Sequence, residues 1–394
     1  MGIAMESISY VLLKNARLLT PHGIEPGSLL MGGGKILAMG RDLSAPRNAL
    51  CHIVDAGKQL LLPGIIDQHV HLTGGGGEDG FHTRTPEVML SQLLKAGITS
   101  VMGLLGTDGA TRHVASLFAK VQGLRNEGIS AWMLTGSYEV PTVTLTGSVR
   151  DDIAFLDPVL GVKTAISDHR SSFPTCQELI RLASQARAAA LLSRKPGLIV
   201  MHLGNAGTAL EPLEEVLAHS DVPVSHFLPT HVNRQQWLWE HALTLADTQK
   251  VNLDITSGIN PELGARGAVK PSQAVLEARE RNISLKQLTL SSDGNGSIPA
   301  FDEQGNLNGL TVAGFDSLLG EVRDLLADLP LDAVWPLVSS NVAQRLKLHH
   351  KGALRAGNDA DILLMNDSME IESVWANGRL MLDNRTLLVK GTFE

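Results

Sequence analysis

The 394-residue chain has only two cysteines, Cys51 and Cys176. This excludes a disulfide framework and a thiolate zinc knuckle. Long apolar runs are missing as well: stretches such as residues 60–62 and 198–201 fall far short of the ~18 residues a spanning helix needs, so no membrane segment is expected. Residues 1–20 are broken by Glu6, Lys14 and Arg17 and carry no signal-like apolar block, so a cytoplasmic location is expected. Basic charge is in deficit, with 33 Lys and Arg against 41 Asp and Glu, a net charge of −8 and no Lys/Arg-rich block. A nucleic-acid footprint is thereby excluded, and a small-molecule substrate is expected.

Glycine and histidine are plentiful, at 39 and 14 residues. Glycines cluster at 74–77 and at Gly294 and Gly296, where close backbone approach to another group is expected. Short β-type runs separated by Gly-containing turns fill residues 8–60, and similar runs with an Asn377-Gly378 turn fill the last forty. Between them, eight strand-like runs (61–67, 99–105, 130–135, 159–166, 198–202, 227–231, 251–255 and 287–291) alternate with helical patterns. The pattern predicts an α/β (β/α)8 barrel over 61–347, with a small β-sandwich domain built from 1–60 and 348–394. A doubly wound sheet is the competing architecture. The first helix is expected to start with Thr85 as N-cap, Pro86 at its first position and Glu87 in its first turn, and to end at Gly97.

His69 and His71 sit two apart at the end of an apolar strand, so both side chains can reach one metal ion. Taken alone, such a pair is as readily two packed or solvated histidines. His202, His231 and Asp293 recur at the carboxyl ends of later strands, the face on which barrel enzymes place their chemistry. Lys163 lies inside the apolar run 159–166. A buried ammonium is costly unless it is paired or neutral, and a neutral amine can take up carbon dioxide as a carbamate. The plainer reading is a lysine that snorkels at a strand end.

The run Pro63-Gly64-Ile65-Ile66-Asp67-Gln68-His69-Val70-His71, followed in order by Lys163, His202, His231 and Asp293, resembles the amidohydrolase superfamily with a carboxylated lysine. The phrases at 74–78, 84–87, 101–108, 130–136, 165–170, 228–234 and 291–297 resemble, more narrowly, its isoaspartyl dipeptidase family, and the likeness covers nearly the whole chain. It implies two Zn2+ per subunit: His69 and His71 on one ion with Asp293, His202 and His231 on the other, and N6-carboxylated Lys163, formed with carbon dioxide or bicarbonate, bridging them. It also implies that a bridging hydroxide attacks the β-aspartyl amide, that Tyr138 polarises the carbonyl, and that Asp293 carries the proton to the leaving amine.

For the substrate, the resemblance assigns Glu78 to the α-ammonium and Arg170 and Arg234 to the two carboxylates. Thr107 and Ser297 become hydroxyl partners, while Gly76 and Gly77 allow close approach. Guanidinium forks suit carboxylates by charge and shape. Asp168 and His169 would orient Arg170, and a homo-octamer is implied. His82, His113, His226, His241, His349 and His350 have no assigned role and are read as solvated or structural. The match is weakest at 235–239 and 259–272. Two rival readings remain: a cyclic-amide hydrolase of dihydroorotase or hydantoinase type, and a catalytically silent hydantoinase-like scaffold.

Overall fold

The computed structural model describes residues 10–47, 49–301 and 307–394. Eight parallel strands form one sheet in strictly consecutive order: Ile65–Val70, Ile98–Gly103, Ser130–Thr135, Val159–Ile166, Leu198–Leu203, Phe227–Thr230, Leu253–Thr256 and Leu288–Ser291. The first and last meet at a parallel bridge between Val70 and Gly294, where His71 N donates to Gly294 O at 3.0 Å. An unbroken order that closes on itself is a barrel, and it excludes the doubly wound alternative, whose order reverses.

The strands' own alternation builds the interior. Ile66, Met102, Leu104, Leu134, Leu160, Leu198, Val200 and Leu228 form an apolar floor, which Val342, Ala343 and Leu346 plug from below. In strands six to eight the same faces then turn polar at Thr230, Asp254, Thr256, Thr289 and Ser291, all buried. The functional side chains lie above this polar layer.

Local punctuation sets the helices. Thr175 and Glu178 form a reciprocal capping box at the start of Cys176–Ser193, and Gly128, at φ 115°, closes Val114–Glu127. Among the described residues no helix is long and apolar enough to cross a membrane.

Two expectations are corrected. The helix after strand one is Leu90–Lys95, not a helix capped at Thr85. The Thr85 hydroxyl is held in the site loop instead, accepting from Gly75 N at 2.7 Å and reaching Asn295 O at 3.1 Å. The barrel also starts later than residue 61. Leu60–Pro63 pairs antiparallel with Ile362–Met365 in the second sheet, and the chain crosses into the barrel at Gly64. A Cβ on Gly64 would lie 2.1 Å from Thr99 Oγ1, so no larger residue fits at this crossing.

Among the described residues the second sheet has nine strands drawn from both ends of the chain, and its own core includes Leu13, Leu29, Ile36, Leu61, Ile362 and Trp375. Lys351 ties it to the barrel, donating to Asp361 at 2.6 Å and to Ser130 Oγ at 2.7 Å.

Candidate metal centre and active site

The ends of strands one, four, five, six and eight bring His69, His71, Lys163, His202, His231 and Asp293 together, and all six are buried. Asp293 Oδ1 lies 3.1 Å from His71 Nε2 and 3.5 Å from His69 Nε2. Lys163 Nζ is 3.2 Å from His69 Nε2. Ring centroids are 4.9 Å apart for His69 and His231, and 4.7 Å for His231 and His202. Donor atoms of His69, His231 and Asp293 all fall within 4.8 Å of one another, an arrangement that could hold a metal ion.

The chemistry of this donor set fits a cation. Burial holds His69, His202 and His231 well below the ordinary imidazole pKa, so they are neutral, as metal ligands must be. Burial also lowers the Lys163 ammonium from its ordinary 10.5 to about 7. His71 Nδ1 is buried with no hydrogen-bond partner among the described residues. Two of the residues carry backbone cost: His231, at φ 64°, and Asp293, at φ 55°, lie in the left-handed region. Each conformation costs roughly 1–2 kcal/mol, so the surrounding structure holds both in place.

Second partners orient the rings. His231 Nδ1 lies 2.8 Å from Thr256 Oγ1, and His69 Nδ1 lies 3.3 Å from Thr230 Oγ1. His202 has both nitrogens engaged, Nδ1 with the Tyr138 hydroxyl at 2.7 Å and Nε2 with Asp168 Oδ2 at 2.8 Å. Asp168 also receives Arg170 Nε at 3.0 Å and Nη2 at 2.8 Å. Its burial would raise its pKa, but the hydrogen bonds from His202 and Arg170 win and hold the carboxyl well below the usual range. The sequence suggests only that Asp168 orients Arg170; its bond to His202 is visible only in the fold. His169 is largely exposed, 3.8 Å from Asp168.

Above this centre opens a cavity of about 560 Å³, lined by Gly76, Glu78, Thr107, Tyr138, Arg170, Arg234, Ser297 and the metal-side residues His71, His202 and Asp293. Gly77 borders an adjoining cleft of about 390 Å³. The glycine-rich loop is held from below by Arg112, whose buried guanidinium donates to Gly75 O at 2.7 Å and Thr85 O at 3.1 Å and also reaches the Thr73 carbonyl. At Gly76, with φ 77°, a Cβ would meet Thr83 O at 2.4 Å, so only glycine fits.

Ser297 Oγ lies 2.8 and 2.9 Å from the two Glu78 oxygens, and Arg170 Nη1 is 3.3 Å from Oε1. Burial and the neighbouring Arg170 charge lower the pKa of Arg234, whose Nε has no partner among the described residues. Ile259, Leu263 and Gln235, from the weakly matched stretches, join the cavity wall. Asn233 anchors this wall by donating to Ile259 O at 2.9 Å and to Thr256 O and Val269 O at 3.2 Å.

The histidines without an assigned role stay outside. His226 contacts Gly197 O and Arg187, His241 contacts Glu214, and His82, His113, His349 and His350 are exposed.

No family model matches the chain. A β-aspartyl dipeptidase from Fervidobacterium islandicum AW-1, solved in complex with β-Asp-Leu dipeptide, is 37% identical, covers 97% of this chain and 98% of its own, and superposes with a TM-score of 0.91. A dihydropyrimidinase from Brevibacillus agri NCHU1002 covers 97% of both chains at 16% identity and a TM-score of 0.67, a likeness of fold. A dihydroorotase from Bacillus cytotoxicus is 30% identical over 167 residues, which span 39% of this chain and only 36% of that relative's length.

Proposed function

Because the chain belongs to the β-aspartyl dipeptidase family of the amidohydrolase superfamily, we propose that it is a zinc-dependent isoaspartyl dipeptidase that hydrolyses the β-aspartyl peptide bond. The observation that carries this reading is the convergence of Glu78, Arg170 and Arg234 on the cavity beside the metal-ligand group. An isoaspartyl dipeptide presents one ammonium and two carboxylates, and on this wall Glu78 can meet the ammonium while Arg170 and Arg234 meet the carboxylates. A hydantoin carries neither kind of group and dihydroorotate only one carboxylate, so a cyclic amide leaves Glu78 and at least one guanidinium without a partner.

His69, His71, His202, His231, Asp293 and Lys163, the last carrying carbon dioxide as a carbamate, would hold two zinc ions, which supply Lewis-acid polarisation and an activated water when bound. Glu78 takes the α-ammonium, already steadied by Ser297 and Arg170. Arg170 and Arg234 pair with the carboxylates, and Thr107 adds a hydroxyl on the same wall. The Tyr138 hydroxyl, released from His202 Nδ1 when that nitrogen is given to a metal ion, would donate to the scissile carbonyl oxygen, and burial pushes its pKa up, so it keeps its proton at working pH. As water oxygen bonds to the carbonyl carbon and the C–N bond breaks, Asp293 accepts the water's proton and returns it to the departing amine.

The two free cysteines fit a reducing compartment, and we place the protein in the cytoplasm as a homo-oligomer, an octamer by the family resemblance. The test is a panel of β-Asp-Leu, α-Asp-Leu and dihydroorotate with metal analysis of the same sample. Cleavage confined to the β-linked dipeptide, with two zinc ions per chain, is expected. Equal rates on α-Asp-Leu, or turnover of dihydroorotate instead, overturn the assignment.

A further inference from the structure

Beneath the metal-ligand group lies a fully buried carboxylate that the mechanism above does not use. Asp254, in the seventh barrel strand, faces donors from four other positions. Its Oδ1 receives Gln68 Nε2 at 2.7 Å and Thr289 Oγ1 at 2.8 Å; its Oδ2 receives Ser291 Oγ at 2.7 Å and Thr230 Oγ1 at 2.8 Å. Burial raises the Asp254 pKa, while these four hydrogen bonds lower it and favour the ionised form, which only accepts, so each of the hydroxyls spends its single proton on it.

That fixes a direction. With its proton committed to Asp254, the Thr230 oxygen can only accept from its other neighbour, His69 Nδ1, 3.3 Å away. His69 therefore carries its proton on Nδ1 and leaves the Nε2 lone pair free. Nε2 is the nitrogen that faces Lys163 Nζ at 3.2 Å and Asp293 Oδ1 at 3.5 Å, the side on which a metal ion would sit.

We infer that Asp254 is a positioning residue that acts through the Thr230 hydroxyl to hold His69 in the tautomer that ligates metal. The inference rests on the metal-dependent reading above, and it assigns Asp254 and Thr230 a task that neither performs by touching substrate. Ligand-orienting partners of this kind typically change metal affinity by about 10–100-fold.

The relay is tested on the metal-stripped full chain by titrating Zn2+ against a chromophoric chelator. Thr230→Val keeps the side chain's shape and removes the hydroxyl; it should raise the zinc Kd by about 10–100-fold, and Asp254→Asn should shift it in the same direction. Thr230→Ser restores a hydroxyl and should return the Kd to the wild-type value, while the unfolding midpoint of metal-free Thr230→Val stays close to that of the wild type. An unchanged Kd in Thr230→Val, or a Thr230→Ser variant as weak as Thr230→Val, overturns the relay. Zinc uptake is read without substrate, so a wild type that binds zinc but spares β-Asp-Leu sinks the dipeptidase reading alone, whereas a wild type that takes up no zinc overturns the relay too.

Discussion

The Tyr138 hydroxyl stands 2.7 Å from His202 Nδ1, and the two rings are 4.3 Å apart. His202 is in turn held at Nε2 by Asp168, which also grips Arg170. One chain of contacts thus runs from the hydroxyl proposed to polarise the carbonyl, through an imidazole of the metal-ligand group, to a guanidinium proposed to bind a substrate carboxylate. Removing the hydroxyl alone leaves the imidazole, Asp168 and Arg170 in place.

Tyr138→Phe is therefore expected to lower kcat by about 10²–10³, the roughly 2.7–4 kcal/mol that one oxyanion donor supplies, while zinc content and KM change little. Steady-state kinetics with β-Asp-Leu and metal analysis of the same preparation check this. An unchanged kcat would remove Tyr138 from the chemistry.

Lys163 is fully buried, and its amine is directed at His69 Nε2. Lys163→Ala should lose both bound zinc and activity. Short carboxylic acids such as acetate or propionate should restore part of each by standing in for the carbamate. Full metal content and full activity in the untreated variant would defeat the proposed role.

The same burial makes a pH prediction for the metal-free protein. The folded-state pKa of Lys163 is depressed from its ordinary 10.5 to about 7, so across that interval the unfolded chain binds more protons than the folded one. Stability must then rise with pH through this window. Asp67, raised by burial to about 7, acts in the opposite sense, but only below that value, where the folded state holds the extra proton. Urea unfolding of the metal-free protein from about pH 7.5 to about pH 9.5 should show increasing stability, with a flatter dependence in Lys163→Met. Parallel slopes in the two proteins would show that the amine is not desolvated.

Much of the buried cluster of His69, His71, Lys163, His202, His231 and Asp293 is legible in the sequence because its members interrupt local patterns: a histidine pair ends an apolar strand, and a lone lysine sits inside another. Asp254 leaves the same local mark within Leu253–Thr256, yet its partners Gln68, Thr230 and Thr289 are 186, 24 and 35 residues away in the chain, so no sequence window reveals the relay. The start of the barrel is hidden for a different reason. Residues 60–66 form one apolar run, and its division between two sheets at Gly64, where a Cβ would meet Thr99, shows only in the strand pairing. At Thr85 a good capping residue is diverted by tertiary contacts with Gly75 and Asn295, which outweigh the local helix signal.

Asp293 is held in a left-handed conformation with its Oδ1 between the two histidines of strand one, and it also lines the substrate cavity. A carboxylate so placed can both help to hold a cation and exchange a proton with groups in the cavity. Loss of a positioned acid-base group typically costs about 10²–10⁴ in rate. Asp293→Ala should therefore depress kcat on β-Asp-Leu by that order, while substrate binding survives, because Glu78, Arg170 and Arg234 are untouched. Calorimetric titration of the variant with β-Asp-Leu, set beside its kcat and zinc content, separates the two duties. A variant that keeps zinc and substrate affinity but loses turnover identifies Asp293 as the proton carrier. Unchanged kcat would take that role away from it.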